Sequence, residues 1–208
     1  NIFDLVIVST TSYKRLNLVK SIFKKYKIKN WILEKFLAQS VIEIDGIKDL
    51  LENNGLCWIN TPRRAMKWYR EIKKSILKNK NPMIFQVEGG NWGLACNSIH
   101  FIDLVEWLTN SKIINLKVLN KDKWIQSKRS NFIELFGKIE IEFSDNSKLN
   151  IICKDNYDPV KIKIKTVEGI WEIMEEDGLA NGPNNLKILG SLEYQSQITR
   201  EIITNILE

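Results

Sequence analysis

The first sixty residues alternate between two kinds of apolar spacing. Leu5 to Val8 is a nearly unbroken apolar run ending in Ser9-Thr10-Thr11-Ser12, the pattern of a buried parallel strand and a polar turn. From Lys14 to Tyr26, Leu18, Val19, Ile22 and Phe23 recur at helical spacing. Trp31 to Leu33 reads as a second strand ending at Glu34-Lys35. Glu43 to Asn53 reads as a helix with a left-handed cap at Asn54-Gly55, and Leu56 to Ile59 as a third strand. This strand–helix–strand–helix–strand rhythm predicts an open α/β sheet.

The pattern then changes. Pro62 to Leu77 predicts a helix burying Trp68, Tyr69, Ile72, Ile76 and Leu77, and Met83 to Val87 predicts a strand running into Gly89-Gly90. A helix follows, with Ile99, Ile102, Val105 and Leu108 as its expected buried face and Asn97 or Ser98 as its cap. Beyond it come a strand around Leu116 to Leu119 and a polar loop holding Trp124 and Lys128-Arg129. Ile139, Ile141 and Phe143 alternate with Lys138, Glu140 and Glu142; Asp145-Asn146-Ser147 turns the chain, and Leu149, Ile151 and Cys153 alternate on the return. Val160 to Lys165 and Gly169 to Ile173 read as further strands, and Leu186 to Leu192 fits no one pattern. Tyr194 to Leu207 predicts a last helix packed through Ile198, Ile202, Ile203 and Ile206. Strands apolar on one face predict a largely antiparallel open sheet.

Composition narrows the classes. The 208 residues include seven tryptophans and eight phenylalanines, which argues against disorder. No apolar run reaches membrane-spanning length, and the start lacks a charged segment followed by a cleavage site, so no membrane association is expected. Cys57, Cys96 and Cys153 lack metal-ligand spacing and read as free thiols of a reducing cytoplasm. The net charge of +6 is uneven: residues 1–80 carry 17 Lys and Arg against 7 Asp and Glu, the remainder 14 against 18. Lys24-Lys25 and Lys73-Lys74 fall on polar helix faces, so solvated surface explains much of that excess. Without aromatic–basic interleaving or a recognition helix, nucleic acid is not an expected partner.

Candidate chemistry concentrates in Glu88 to Leu108. His100, the only histidine, lies one turn into the predicted helix, and Asp103 follows on roughly the same side. Its ordinary pKa near neutrality suits proton transfer, and the helix start would favour an anion or a developing negative charge. A half-buried histidine bonded to a neighbour is the alternative. Lys35, at the end of a parallel strand, is a candidate cation for an oxygen gaining charge.

The run Cys96-Asn97-Ser98-Ile99-His100-Phe101-Ile102-Asp103 resembles the Asp-x-Gly-x-His-x-x-Asp segment that opens the second domain of the Gfo/Idh/MocA family of nicotinamide-dependent sugar oxidoreductases. Ser9-Thr10-Thr11, Glu34-Lys35-Phe36 and Ile59-Asn60-Thr61-Pro62-Arg63-Arg64 stand where that family has Thr-Pro, Glu-Lys-Pro and an arginine-bearing segment. The resemblance implies the C-terminal part of a Rossmann-like parallel sheet over residues 1–61, a linking helix over 62–81, and an α+β substrate-binding and dimerisation domain over 82–208. No Gly-x-Gly-x-x-Gly follows the first strand, so either this is not a dinucleotide-binding domain or its first half lies outside the chain; the resemblance favours the second account and implies the carboxy-terminal two thirds of a longer oxidoreductase.

By the same resemblance, Lys35 and His100 are catalytic, and Ser9, Thr10, Ser12, Glu34 and Lys35 approach NAD or NADP. Arg64, Trp92, Cys96, Asn97 and His100 face a sugar, sugar phosphate, nucleotide sugar or cyclitol. Arg64 has stabilising the domain junction as its alternative role, and Trp92 has wedging the turn. Asn60 and Thr61 are further pocket candidates, and Asp103 is expected to orient the helix or a neighbour. The sequence departs from the family at Cys96, which cannot supply a carboxylate, and at Phe36, which replaces a proline. Weak cofactor binding by these 208 residues and self-association through the C-terminal sheet are expected. A non-catalytic binding or dimerisation partner is the second reading, and a nucleic-acid-binding protein, resting on charge alone, the third.

Overall fold

Buried apolar runs and amphipathic helices assemble into two units, Asn1–Thr61 with Thr199–Glu208, and Pro62–Ile198. The computed structural model describes every residue except 53, 77–80, 128, 130, 131 and 208. Asn53 as a helix end, Leu77 on a helix face and Lys128 in a loop lie outside the described residues.

In the first unit the elements are β1 (Ile2–Phe3), β2 (Val6–Val8), α1 (Arg15–Lys25), β3 (Lys27–Ile28), β4 (Asn30–Glu34), α2 (Val41–Leu51) and β5 (Leu56–Asn60). Strands β2, β4 and β5 form a parallel sheet in that order, with Val8 opposite Leu33 and Leu33 opposite Ile59. Strand β1 pairs in parallel with β3. Val19 of α1 and Ile47 of α2 pack with Val8, Trp31 and Leu33. Each such side chain contributes about 1.5–3 kcal/mol by leaving water.

Helix α2 begins two residues before the predicted Glu43, capped by Ser40, with Glu43 reaching back to the residue before the cap. The Ser40 hydroxyl accepts the Glu43 N–H at 3.3 Å, and the Glu43 carboxylate accepts the Gln39 N–H at 3.1 Å. Its C-cap is Glu52, in right-handed conformation, rather than Asn54-Gly55. Gly55, at φ 126°, lets the chain pass against the Lys29 carbonyl, where a Cβ would come within 2.4 Å.

The second unit opens with a 3₁₀ turn (Pro62–Ala65) and α3 (Lys67–Ile76), in place of one continuous predicted helix. Trp68, Tyr69, Ile72 and Ile76 are buried as their spacing indicates. There follow β6 (Ile84–Gly90), α4 (Leu94–Thr109), β7 (Ile113–Gln126), β8 (Ile133–Phe143), β9 (Lys148–Lys154), β10 (Lys161–Thr166), β11 (Gly169–Met174), β12 (Leu179–Asn181) and β13 (Lys187–Leu189). They build an eight-stranded sheet ordered β13-β12-β11-β10-β6-β9-β8-β7, antiparallel except where β6 meets β9. A parallel sheet followed by a large, mostly antiparallel one is the predicted fold class.

One face of the large sheet is apolar, with Phe85, Ile141, Leu149, Ile162, Ile164 and Trp171 buried. The other carries alternating charge, including the pairs Lys163–Glu172 at 2.9 Å and Lys138–Glu140 at 2.6 Å. Trp124, expected in a loop, lies in β7, whose register shifts at three places against β8 and so hides its alternation. The ambiguous stretch after Leu186 contains β13. Helix α5 (Gln195–Leu207) has Ile198 buried, while Ile202, Ile203 and Ile206 are only partly so. Among the described residues no helix is long and apolar enough to cross a membrane.

Candidate functional site

The parallel sheet gathers three loops at the carboxyl ends of its strands: Ser9–Ser12 after β2, Glu34–Lys35–Phe36 at β4, and Asn60–Thr61 at β5. Ser9 and Thr10 are exposed, Ser12 and Thr61 buried, and Lys35 half-buried. Asn60 donates its amide to Glu34 Oε1 at 2.6 Å, tying the β4 and β5 ends together. The Lys35–Phe36 peptide is cis although residue 36 is not proline, and Lys35 Nζ stands 5.9 Å from the Phe36 ring centre.

A residue that sequence patterning did not single out organises these loops. Arg15 is fully buried and its guanidinium donates to the backbone carbonyls of Thr10, Glu34, Phe36 and, at 3.3 Å, Leu37. The first loop and the Lys35 loop are thereby laced to one cation. Burial draws the Arg15 guanidinium below its ordinary pKa, opposed by the charge of Glu34. On α1, an arginine beside Lys14 is indistinguishable in sequence from solvated helix surface.

In the second unit the glycine-ended β6 leads through Gly93, at φ 81°, into α4. The helix begins at Leu94, so Asn97 and Ser98 do not cap it. Ser98 instead donates to the Leu94 carbonyl within the helix, and Asn97 Nδ2 donates back to the Trp92 carbonyl at 2.6 Å. The cap comes from another element. Glu134 of β8, 8% exposed, accepts the N–H groups of Ala95 and Cys96 at 2.9 Å each. The helix start therefore already holds a negative charge, supplied by the protein itself. The buried face of α4 is Leu94, Ser98, Phe101, Leu104, Val105 and Leu108, whereas the expected Ile99 and Ile102 are only partly covered.

His100 is half-buried on α4. Trp92 donates its indole N–H to the Ile152 carbonyl at 3.2 Å and meets Phe101 edge-on at 5.4 Å. Arg64 Nε donates to Asp103 Oδ2 at 2.8 Å, and its Nη2 pairs with the other carboxylate oxygen. Asp103 thus has Arg64 as its partner. Next to it, Arg63 lies 4.3 Å from the Phe101 ring centre and makes two bonds to Glu175, at 2.7 and 2.6 Å. The Tyr69 hydroxyl donates to the same carboxylate at 2.5 Å.

Burial lowers the Arg63 guanidinium, but its bonds to Glu175 outweigh that and hold it above its ordinary value. Burial and the Glu175 charge push the Tyr69 phenol well above its usual range. Burial raises the Cys153 thiol, against the backbone N–H groups of Trp92, Gly93 and Leu94. Sequence patterning did not find Glu134, Glu175 or the Arg63 network; the adjacent arginines 63 and 64 were the one available signal.

No family profile and no curated protein matches the sequence. Solved structures match the fold. An oxidoreductase domain protein from Kribbella flavida superposes with a TM-score of 0.72 at 13% identity over 98% of this chain and 70% of its own. The myo-inositol 2-dehydrogenase of Lactobacillus plantarum gives 0.67 at 16% identity, over 98% and 68%. The transcriptional regulator Gal80p from Kluyveromyces lactis gives 0.69 at 16%, over 97% and 62%. The chain shares the fold of these structures, and it spans about two thirds of their length.

Proposed function

We propose that the chain is an NAD(P)-dependent oxidoreductase, or a fragment of one, that transfers a hydride to or from a hydroxyl-bearing carbon of a sugar, sugar phosphate, nucleotide sugar or cyclitol. The observation that carries the reading is the chemistry at the carboxyl ends of the parallel strands. Exposed Ser9 and Thr10, the Glu34–Asn60 pair and Lys35 form a hydroxyl- and amide-rich rim beside one cation. That donor set fits a ribose and a carboxamide, and parallel α/β sheets bind ligands at this end. When bound, the nicotinamide supplies the hydride chemistry.

The chain's own residues carry the remainder of the proposal. His100 takes the proton of the reacting hydroxyl, or returns it, and Lys35 stabilises negative charge on that oxygen. Cys96, Asn97 and Trp92 line the approach to His100, although Asn97 and Trp92 each already make one internal bond. Arg15 holds the Lys35 loop without touching the reactants. We also propose a location in the cytoplasm and self-association through the charged face of the eight-stranded sheet, for which a monomeric sedimentation mass is the contrary result.

The likeness to Gal80p favours a second reading, a non-catalytic member that serves as a binding or dimerisation partner. A titration of the chain with NADH and NADPH, followed by tryptophan fluorescence, separates the two. On the oxidoreductase reading it shows weak saturable binding that Ser9→Trp and Lys35→Glu abolish. Binding indifferent to both substitutions overturns the assignment of these loops.

A further inference from the structure

His100 stands between two residues of α4 that the 3₁₀ turn Pro62–Ala65 grips from either side. An α-helix turns about 100° per residue, so Phe101 lies about 100° around the axis from His100 and Asp103 about 60° the other way. Phe101 is 3% exposed and carries the Arg63 guanidinium at 4.3 Å from its ring centre. Asp103 is 7% exposed and is bonded by both Nε and Nη2 of Arg64. Rotation of α4 in either direction breaks one of these contacts while compressing the other.

The turn that supplies the two arginines is itself anchored. Glu175 accepts two bonds from Arg63, and Tyr69 donates to the same Oε1 that Arg63 Nε reaches. The far end of α4 has a separate fastening, since Lys73 donates to the Trp107 carbonyl and lies 4.0 Å from that ring centre. Retaining the helix on the sheet therefore does not require the arginine pair. What the pair adds is control of rotation at the level of His100.

We propose that Arg63 and Arg64 are positioning residues for His100, with Glu175 as their anchor: consecutive arginines on one turn fix the rotation of α4 and with it the direction of the imidazole. The inference rests on the reading of His100 as the proton-transfer group. It makes Arg64 a residue that acts through Asp103 rather than on the substrate.

Because the chain has one histidine, its imidazole resonances need no assignment by mutation. In the 208-residue chain the wild type gives a single narrow set of imidazole signals. Arg64→Gln and Asp103→Asn split or broaden them, Arg64→Lys restores most of the narrow signal by keeping the ion pair, and Lys73→Met lowers stability without altering them. In the longest natural form that shows turnover, Arg64→Gln lowers kcat about a hundredfold with little change in KM, and Arg64→Lys recovers much of the loss. Imidazole signals unchanged in both Arg64→Gln and Asp103→Asn overturn the proposal. Signals that are ordered in the wild type and lost in the variants, in a protein without hydride transfer, support the positioning and overturn the functional reading it rests on.

Discussion

The carboxylate of Glu134 accepts the backbone N–H of Cys96 at 2.9 Å, across 38 residues of sequence. It does the same for Ala95, so one side chain of β8 satisfies two of the donors that every helix start leaves open. Helix α4 has no acidic residue in its first turn and a glycine at its N-cap, so the β-sheet supplies what the local sequence does not.

Glu134→Gln is expected to cost about 1–3 kcal/mol, because an amide can accept only one of the two N–H groups and turns a donor toward the other. The loss reads out as a lower urea midpoint with an unchanged slope. Faster amide exchange at residues 94–97 accompanies it. Full protection of that turn in the variant contradicts the capping role.

Glu175→Gln removes the charge that Arg63 is buried against and is expected to destabilise the second unit by about 3–5 kcal/mol. Denaturant unfolding measures the effect. A change below about 1 kcal/mol shows that Arg63 finds water or another partner.

Tyr69 supplies a pH signature. Its folded-state pKa is raised above the ordinary phenol value of about 10, so its contribution is complete below that pH and is lost as pH rises through the folded value. Alkaline unfolding of the wild type is therefore steeper above about pH 10 than that of Tyr69→Phe. At neutral pH the variant is the less stable by about 1–3 kcal/mol, since Glu175 loses a donor. Parallel alkaline profiles for the two proteins contradict the assignment.

Arg15→Met keeps an unbranched apolar stem but leaves the carbonyls of Thr10, Glu34 and Phe36 without their donor. A loss of about 3–5 kcal/mol is expected, concentrated in the first unit. On the proposed reading, nicotinamide binding weakens in step, since the Ser9–Ser12 and Lys35 loops lose their common tether. Unchanged binding at full occupancy of the folded state separates loop order from ligand recognition.

Strands with strict alternation, such as β8, β9 and β10, were legible because a period of two leaves no competing assignment. Strand β7 was not, since its irregularities near Asn115, Asn120 and Lys123 move polar residues out of phase and make a strand resemble a loop. The cap of α4 lies four or five residues before Asn97 or Ser98 because it is tertiary: Asn97 and Ser98 look like caps, and Glu134 looks like an ordinary strand residue. The α2 start was available in the sequence as Ser40-x-x-Glu43. For the proposed site, Lys35 and His100 stand out in the sequence by residue type and order. Arg15 and Glu175 could not, because a buried charge is written with the same letters as a solvated one.

Hydride transfer itself tests the central claim most directly. In the longest natural form of the protein, nicotinamide absorbance is followed with a panel of cyclitols, free sugars, sugar phosphates and nucleotide sugars, for the wild type, His100→Ala and Lys35→Met. The account predicts turnover of at least one member by the wild type and a loss in kcat of about a hundredfold or more in each variant. Turnover that survives His100→Ala undiminished, or tight cofactor binding without transfer to any member of the panel, contradicts it.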